Sequence, residues 1–236
     1  MIVRPCTPSS YPDCEIVFSG LDSSHYGRQK GFLVCNSNCA VVGIVVAFAA
    51  LQKLGSIDQA SVCSLQSISG AGYPGTPGLD ILDNVIPYIA GEEEKIQAEA
   101  CKILGNFQED PSASIVNQSI PMAVACNRVA VLDGHLLCVS VRFTKRPAPT
   151  LDQVRAALKE YTSDAQTLGC FSAPKRAIPR LDRNAEGGFA VSIGRIRPDP
   201  SGVFDFMFVA LSHNTILGAA GASIMNAEAA VMQGYV

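Results

Sequence analysis

Residues 40–51 read AVVGIVVAFAAL, without a charge or a hydrogen-bonding side chain. A helix with no polar face has to be covered all round. This stretch therefore sets a buried helix around which the rest of the chain must be arranged. Ahead of it, FLVC (32–35) reads as a strand. Asn36, Ser37 and Asn38 are turn and helix-capping residues. The helix reads from Cys39 to Leu54, with Gly55 as its stop. The local order is strand, tight turn, buried helix, with a thiol at the junction.

That thiol is chemically suggestive. Main-chain N–H groups at a helix start lack internal partners and carry partial positive charge. A thiolate placed there is stabilised, so its pKa is expected below the free value of about 8.5. The same N–H groups can hold an oxyanion formed when sulfur attacks a carbonyl. Cys39 is thus a candidate covalent nucleophile, the alternative being a small buried hydrophobe. Cys35, in the preceding strand, reads as core. A nucleophilic cysteine needs a histidine, and the chain has three: His25, His135 and His213. His25 lies in a polar stretch. His213 stands at the entry to the last helix, where capping or packing explains it. His135 follows Asp133-Gly134, seven residues after Arg128. An arginine for a carboxylate and a histidine for a proton suit a small anionic substrate, although each alone reads as a solvated residue.

Composition narrows the class. A chain of 236 residues with 48% apolar residues has ample material for a core. The net charge of −3 gives no pull toward nucleic acid or an anionic membrane. No apolar run reaches the roughly 18 to 20 residues of a membrane span. The N-terminus lacks the pattern of a secretion signal. Nine cysteines without repeated spacing then read as free thiols in a reducing, cytoplasmic setting. No metal site is expected, since no CxxC occurs and the histidines are scattered.

Along the chain, Glu15–Ser19 reads as a short strand. SVCSLQSIS (61–69) is a β-type segment, followed by the loop GAGYPGTPG. GLDILDNVIPYIAG is a short helix or turn broken by Pro87. EEEKIQAEACKILG is a helix with acids first and Gly105 as stop. IPMAVACNRVAVLDGHLLCVSVRFTKR reads as a hairpin turning at Asp133-Gly134. Thr150 and Gln153 form a possible capping box for LDQVRAALKEYT. GGFAVSIGRIR and VFDFMFVALSH make a second hairpin, and LGAAGASIMNAEAAVMQG a closing helix. The fold class is α+β, a mixed or mostly antiparallel sheet with flanking helices.

CNSNCAVVG, LQSISGAGYPGTPGLDILDNVIPYIAGEEEKIQAEACKILG, CNRVAVLDGH and LSHNTILGAAGASIMNAE occur in this order. Together they resemble the aspartate-semialdehyde dehydrogenase family, in its fungal and archaeal form, over about residues 13 to 236. The resemblance implies reductive dephosphorylation of β-aspartyl phosphate by NADPH, a step toward lysine, threonine and methionine. It implies that Cys39 is the nucleophile that forms a thioester, Gln66 the residue that positions substrate and His135 the acid/base group. Arg128 would hold the substrate carboxylate. Glu92, Lys95 and Asn38 would bind substrate, with Lys95 facing the phosphate. Glu92 and Lys95 also read as a solvated helix face with i,i+3 pairing. Ser69, Gly70, Asn214, Gly218 and Ala219 would contact NADP. The fold implied is a glyceraldehyde-3-phosphate-dehydrogenase-like C-terminal domain that pairs with a second subunit through its sheet face, a homodimer or, in the complete enzyme, a tetramer.

The chain departs from the family pattern ahead of Gly31. No glycine-rich phosphate-binding turn occurs in residues 1–38, and a substantial stretch is missing before Gly31. The expected division is a remnant of the Rossmann-type nucleotide domain and junction (1–30), a catalytic and dimerisation domain (31–212), and a C-terminal helix (213–236) that in the family packs on the nucleotide domain. This chain is expected to bind no NADP and to be inactive alone. One alternative is a catalytically silent dimerisation module. Another is a thiol acyltransferase unrelated to nicotinamide, against which the Arg128–His135 spacing and SGAGYPG speak.

Overall fold

The computed structural model describes residues 36–108, 114–161 and 179–232. The expected strands at 15–19 and 32–35, the 1–30 remnant, His25 and Cys35 lie outside the described residues. The apolar run forms α1 (Val41–Gln52), slightly shorter at both ends than its pattern suggests. It precedes the long strand β1 (Ile57–Gln66). A short helix α2 (Gly78–Ile81) and a short strand β2 (Val85–Ile86) follow. Helix α3 (Glu92–Ile103) starts with three acids and carries Lys102 in its last turn, each charge matched to the helix dipole. Strands β3 (Asn106–Gln108) and β4 (Ser114–Val116) make a separate two-stranded ribbon.

The second half contributes β5 (Met122–Val129), β6 (His135–Phe143), α4 (Leu151–Glu160), α5 (Pro179–Asp182), β7 (Val191–Pro198), β8 (Phe206–Ser212) and α6 (Gly221–Met232). The Thr150–Gln153 capping box is present, each side chain bonded to the other residue's N–H. The main sheet runs β2-β5-β1-β6-β8-β7. Strands β1 and β5 are parallel and every other neighbouring pair is antiparallel. The sheet is therefore mixed, as the α+β reading requires.

The expected second hairpin exists, with β7 on β8. The expected first hairpin does not. β5 and β6 are consecutive and joined by the Asp133-Gly134 turn, yet β1 lies between them, parallel to one and antiparallel to the other. A tight Asp-Gly turn signals where the chain reverses. It does not say which strand fills the gap, and β1, whose main chain pairs with both, satisfies both edges at once.

One face of the sheet carries the core. Along it stand Ala60 and Val62 of β1, Met122 and Cys126 of β5, Leu137, Val139, Val141 and Phe143 of β6, and Phe206, Phe208 and Ala210 of β8, all 7% exposed or less. Helix α1 lies on this face and is flanked by α3 and α4, which explains its lack of a polar side. Phe48, Ile44 and Leu51 are fully buried, each worth about 1.5–3 kcal/mol on removal from water. Gly43 lets α1 come close, because a Cβ there would meet Leu137 Cδ1 at 2.8 Å. On the opposite face Cys63, Leu65, Ala123, Ala125, Leu136 and Cys138 are half-buried or exposed, whereas Val209 and Leu211 of β8 are buried.

Candidate active site

The core-facing rows of three strands end in polar residues. β1 runs Val62, Ser64, Gln66; β5 runs Cys126, Arg128; β6 begins with His135 ahead of Leu137. Gln66 and Arg128 are register partners, and Leu65 pairs with Leu136. The three polar ends therefore share one corner, beneath the start of α1. Because side chains alternate faces, all of them point toward the helix. Gln66 is 1% exposed, Arg128 7% and His135 0%.

Cys39 enters from above. It stands in the turn before Ala40, the residue that caps α1. Asn38 shapes this turn: its side-chain Oδ1 accepts from Ala40 N–H at 2.8 Å, and its carbonyl accepts from Val41 N–H at 3.0 Å. Asn38 works as a turn former, while Ala40 itself, the cap residue, has no side chain able to bond the first helical N–H groups. The Cys39 Sγ lies 3.1 Å from His135 Nε2. A residue 96 positions away in sequence thus meets the thiol, which remains half-buried and open to a ligand.

Helix α3 braces the cysteine turn with two carboxylates two turns apart. Glu92 accepts both contacts of Asn38 Nδ2, at 3.0 and 2.9 Å, and a longer one from Gln66 Nε2 at 3.3 Å. Lys95 Nζ sits 3.6 Å from Glu92 and keeps a side chain 44% exposed. Glu99, 4% exposed, accepts from the Asn38 main-chain N–H at 2.6 Å. Burial raises its pKa. Sequence reasoning missed Glu99. Its only visible signal was its spacing: seven residues after Glu92, it falls on the same helix face.

The loop after β1 closes the other side. Arg128 Nη1 donates to the Ser67 carbonyl at 2.9 Å. A Cβ built on Gly70 would meet Arg128 Nη1 at 2.9 Å and His135 Cε1 at 3.0 Å. Gly218 is equally tight, its Cβ falling 2.7 Å from Cys39 Cβ. These two glycines let main chain approach Cys39 and His135 closely. Asn214 is 2% exposed, and its amide donates to Ser69 Oγ at 2.8 Å and accepts from Gly134 N–H at 2.8 Å. It holds the SGAG loop to the turn before His135. Ala219 is exposed, and its carbonyl accepts from Asn36 Nδ2 at 2.8 Å. Asn36 also reaches Ser223 and Asn226, which ties α6 to the cysteine turn, a link sequence reasoning missed. His213 Nδ1 accepts from Thr215 N–H at 3.4 Å, but the helical turn that starts after Thr215 has no side-chain cap. Among the described residues no cluster of three or more His, Cys, Asp or Glu side chains could hold a metal.

The electrostatics correct one expectation. Cys39 is not acidified: its pKa is pushed up to about 11, first by burial and then by Glu92, and the main-chain N–H groups and Arg128 only partly offset this. The sulfur precedes the helix proper, and a carboxylate faces it, so the dipole argument loses. His135 is pushed down to about 3, first by burial and then by the Arg128 guanidinium. At neutral pH the pair is thiol and neutral imidazole. Iodoacetamide will therefore label Cys39 slowly at neutral pH, the rate rising about tenfold per pH unit toward pH about 11. Glu92→Gln lowers that pKa and speeds labelling near neutrality. Peptide mass spectrometry will check this; Cys39 labelling as fast as a free cysteine at pH about 7 would contradict it.

Comparisons with known proteins place the chain in a family. The family model of the semialdehyde dehydrogenase dimerisation domain matches residues 48–217. The aspartate-semialdehyde dehydrogenase of Trichophyton rubrum is 46% identical over 296 aligned positions, covering 100% of this chain and 82% of that protein. An alignment of 296 positions against 236 residues leaves some 60 positions of the relative without a counterpart inside the aligned span. The Aspergillus fumigatus enzyme of the same name is 42% identical, covering 100% of this chain and 82% of that protein. Among solved structures, aspartate semialdehyde dehydrogenase with NADP from Candida albicans superimposes with a TM-score of 0.79 at 41% identity. It covers 90% of this chain, which spans only 62% of the solved one. The chain belongs to the aspartate-semialdehyde dehydrogenase family.

Proposed function

We propose that this chain carries the acyl-transfer half of the family reaction, with β-aspartyl phosphate as substrate and Cys39 as nucleophile. The observation that carries the reading is the 3.1 Å contact between Cys39 Sγ and His135 Nε2, with Arg128 anchored on the adjacent Ser67 carbonyl. Sulfur bonds to the acyl carbon as the carbon–oxygen bond to phosphate breaks, and the thiol's proton leaves with the phosphate, giving a thioester and hydrogen phosphate. Arg128 binds the substrate carboxylate, Gln66 and Asn38 orient the acyl group, and half-exposed Lys95 draws the phosphate. Glu92 keeps Asn38 and Gln66 in place. His135 Nε2, in contact with the sulfur, is the atom placed to hold a proton there.

Gly70 and Gly218, whose main chain comes close to His135 and Cys39, are the positions where the nicotinamide end of NADP would be held. Ser69, Ala219 and Asn214 stand beside it, Asn214 by holding Ser69. When bound, the reduced nicotinamide supplies the hydride that takes the thioester to the aldehyde. We propose division of the chain at 1–30, 31–212 and 213–236, with the first segment lacking the phosphate-binding turn. Micromolar NADPH binding by this chain in isothermal titration would contradict that proposal.

The partly exposed sheet face, with Leu65, Leu136 and Cys138, is proposed to pack on the same face of a second copy, in keeping with the dimerisation-domain match. No described helix is long and apolar enough to cross a membrane, and a cytoplasmic location completes the proposal.

Thioester formation needs no nicotinamide, so it can be tested on this chain. Mixed with β-aspartyl phosphate, the protein is expected to gain one aspartyl group on Cys39, seen by intact mass, with release of phosphate. Cys39→Ser should gain none. An unmodified wild-type chain would support a silent dimerisation module instead.

A further inference from the structure

We propose that Ser67 is the positioning residue that decides which nitrogen of His135 carries the proton: its main-chain N–H holds Nδ1 as an acceptor, leaving Nε2–H aimed at the Cys39 sulfur. This rests on Cys39 and His135 being the reacting pair. Ser67 N–H donates to His135 Nδ1 at 3.1 Å, and Ser67 Oγ lies 3.1 Å from the same nitrogen. A hydroxyl can turn to donate or accept, but a main-chain N–H can only donate. Nδ1 must therefore present its lone pair. A neutral imidazole has one proton, and it is left to Nε2.

The peptide cannot turn away from the ring. The Ser67 carbonyl accepts from Arg128 Nη1 at 2.9 Å and from Gly70 N–H at 3.2 Å. Ile68 N–H and Ser69 N–H are bonded to the Val131 and Leu132 carbonyls. Ser67 and His135 are both fully buried. The Gly70 main chain lies beside the Cε1 edge of the ring, close enough that a Cβ there would fall 3.0 Å from Cε1. A second proton on the ring would set N–H against N–H at Nδ1, beside the Arg128 guanidinium. The other charged groups acting on the ring are His213, which opposes protonation, and Asp133, which favours it less than burial and Arg128 oppose it.

The consequence for the reaction is specific. In the resting site His135 meets the sulfur as a hydrogen-bond donor and not as a base waiting for the thiol's proton. Its Nε2–H stabilises negative charge on sulfur, or on a substrate oxygen that takes the sulfur's neighbouring place. Ser67 holds His135 through its N–H and Arg128 through its C=O, so one peptide unit aligns the proton-handling group and the carboxylate-binding group.

Nitrogen NMR reads the tautomer directly. On protein labelled with nitrogen-15, the His135 signals are assigned by their disappearance in His135→Gln. Nδ1 is expected at the downfield position of an unprotonated nitrogen and Nε2 at the upfield position of a protonated one, unchanged between about pH 6 and about pH 8. A coupling across the hydrogen bond from the Ser67 amide to Nδ1 is expected as well. Ser67→Ala keeps the N–H and should keep the same pattern. A protonated Nδ1 in the wild type, or a pattern that reverses in Ser67→Ala, overturns the proposal. Because no substrate is present, this outcome is independent of whether β-aspartyl phosphate acylates Cys39.

Discussion

Arg128→Met is expected to slow acylation of Cys39 by β-aspartyl phosphate by about a hundredfold or more, measured as phosphate release per turnover. The side chain is 7% exposed and fixed by its bond to the Ser67 carbonyl, so its guanidinium is held ready for a carboxylate. Removing one partner of a buried, charge-assisted contact costs about 2–5 kcal/mol, since the other is left desolvated and unpaired. Arg128→Lys should fall between, keeping charge but losing the planar fork. The same change removes one of the influences that hold the His135 pKa down, so His135 should titrate at higher pH in Arg128→Met. Burial is the larger cause and remains, so the pKa should stay below the usual imidazole value of about 6.5. An acylation rate within about threefold of wild type would remove Arg128 from the site.

Phe206→Ala is expected to cost about 3–5 kcal/mol of folding stability, read from the urea midpoint. Phe206 is 1% exposed and stacks between Phe143, with centroids 5.9 Å apart, and Phe208 at 6.1 Å. It joins β6 to β8 on the face that α1 covers. Domains have only about 5–15 kcal/mol in hand, so the variant should be marginal at room temperature. A loss below about 1 kcal/mol would mean the neighbouring rings collapse into the space.

Much of this was legible from residue types. The all-apolar run 40–51 had to be an interior helix, and it is. Thr150 and Gln153 announced their capping box, and the 191–212 hairpin followed from alternation and turn residues. What alternation could not give was partner choice. The Asp133-Gly134 turn suggested that β5 and β6 pair, and only the three-dimensional sheet shows β1 inserted between them. That insertion is what brings Gln66 and Ser67 between Arg128 and His135. The candidate nucleophile and its proposed partners came from helix position and resemblance, and the structure brings Cys39, His135, Arg128, Gln66 and Glu92 to one corner. The thiol's acidity was misjudged because helix position is visible in sequence, whereas burial and a carboxylate 53 residues away are not. Glu99 and Asn36 were missed for the same reason: their importance lies in main-chain partners that are remote in sequence.

The insertion of β1 also has a cost in time. Its sequence is finished by Gln66, but the two strands that flank it are supplied only by residues 122–143. During synthesis, a strand with both edges unsatisfied must wait for more of the chain to emerge. Such nonlocal pairing slows folding, and an open edge invites association with other nascent chains. Refolding from denaturant should therefore be slow and fail increasingly with concentration, and a chaperone that shields the early half should raise the yield.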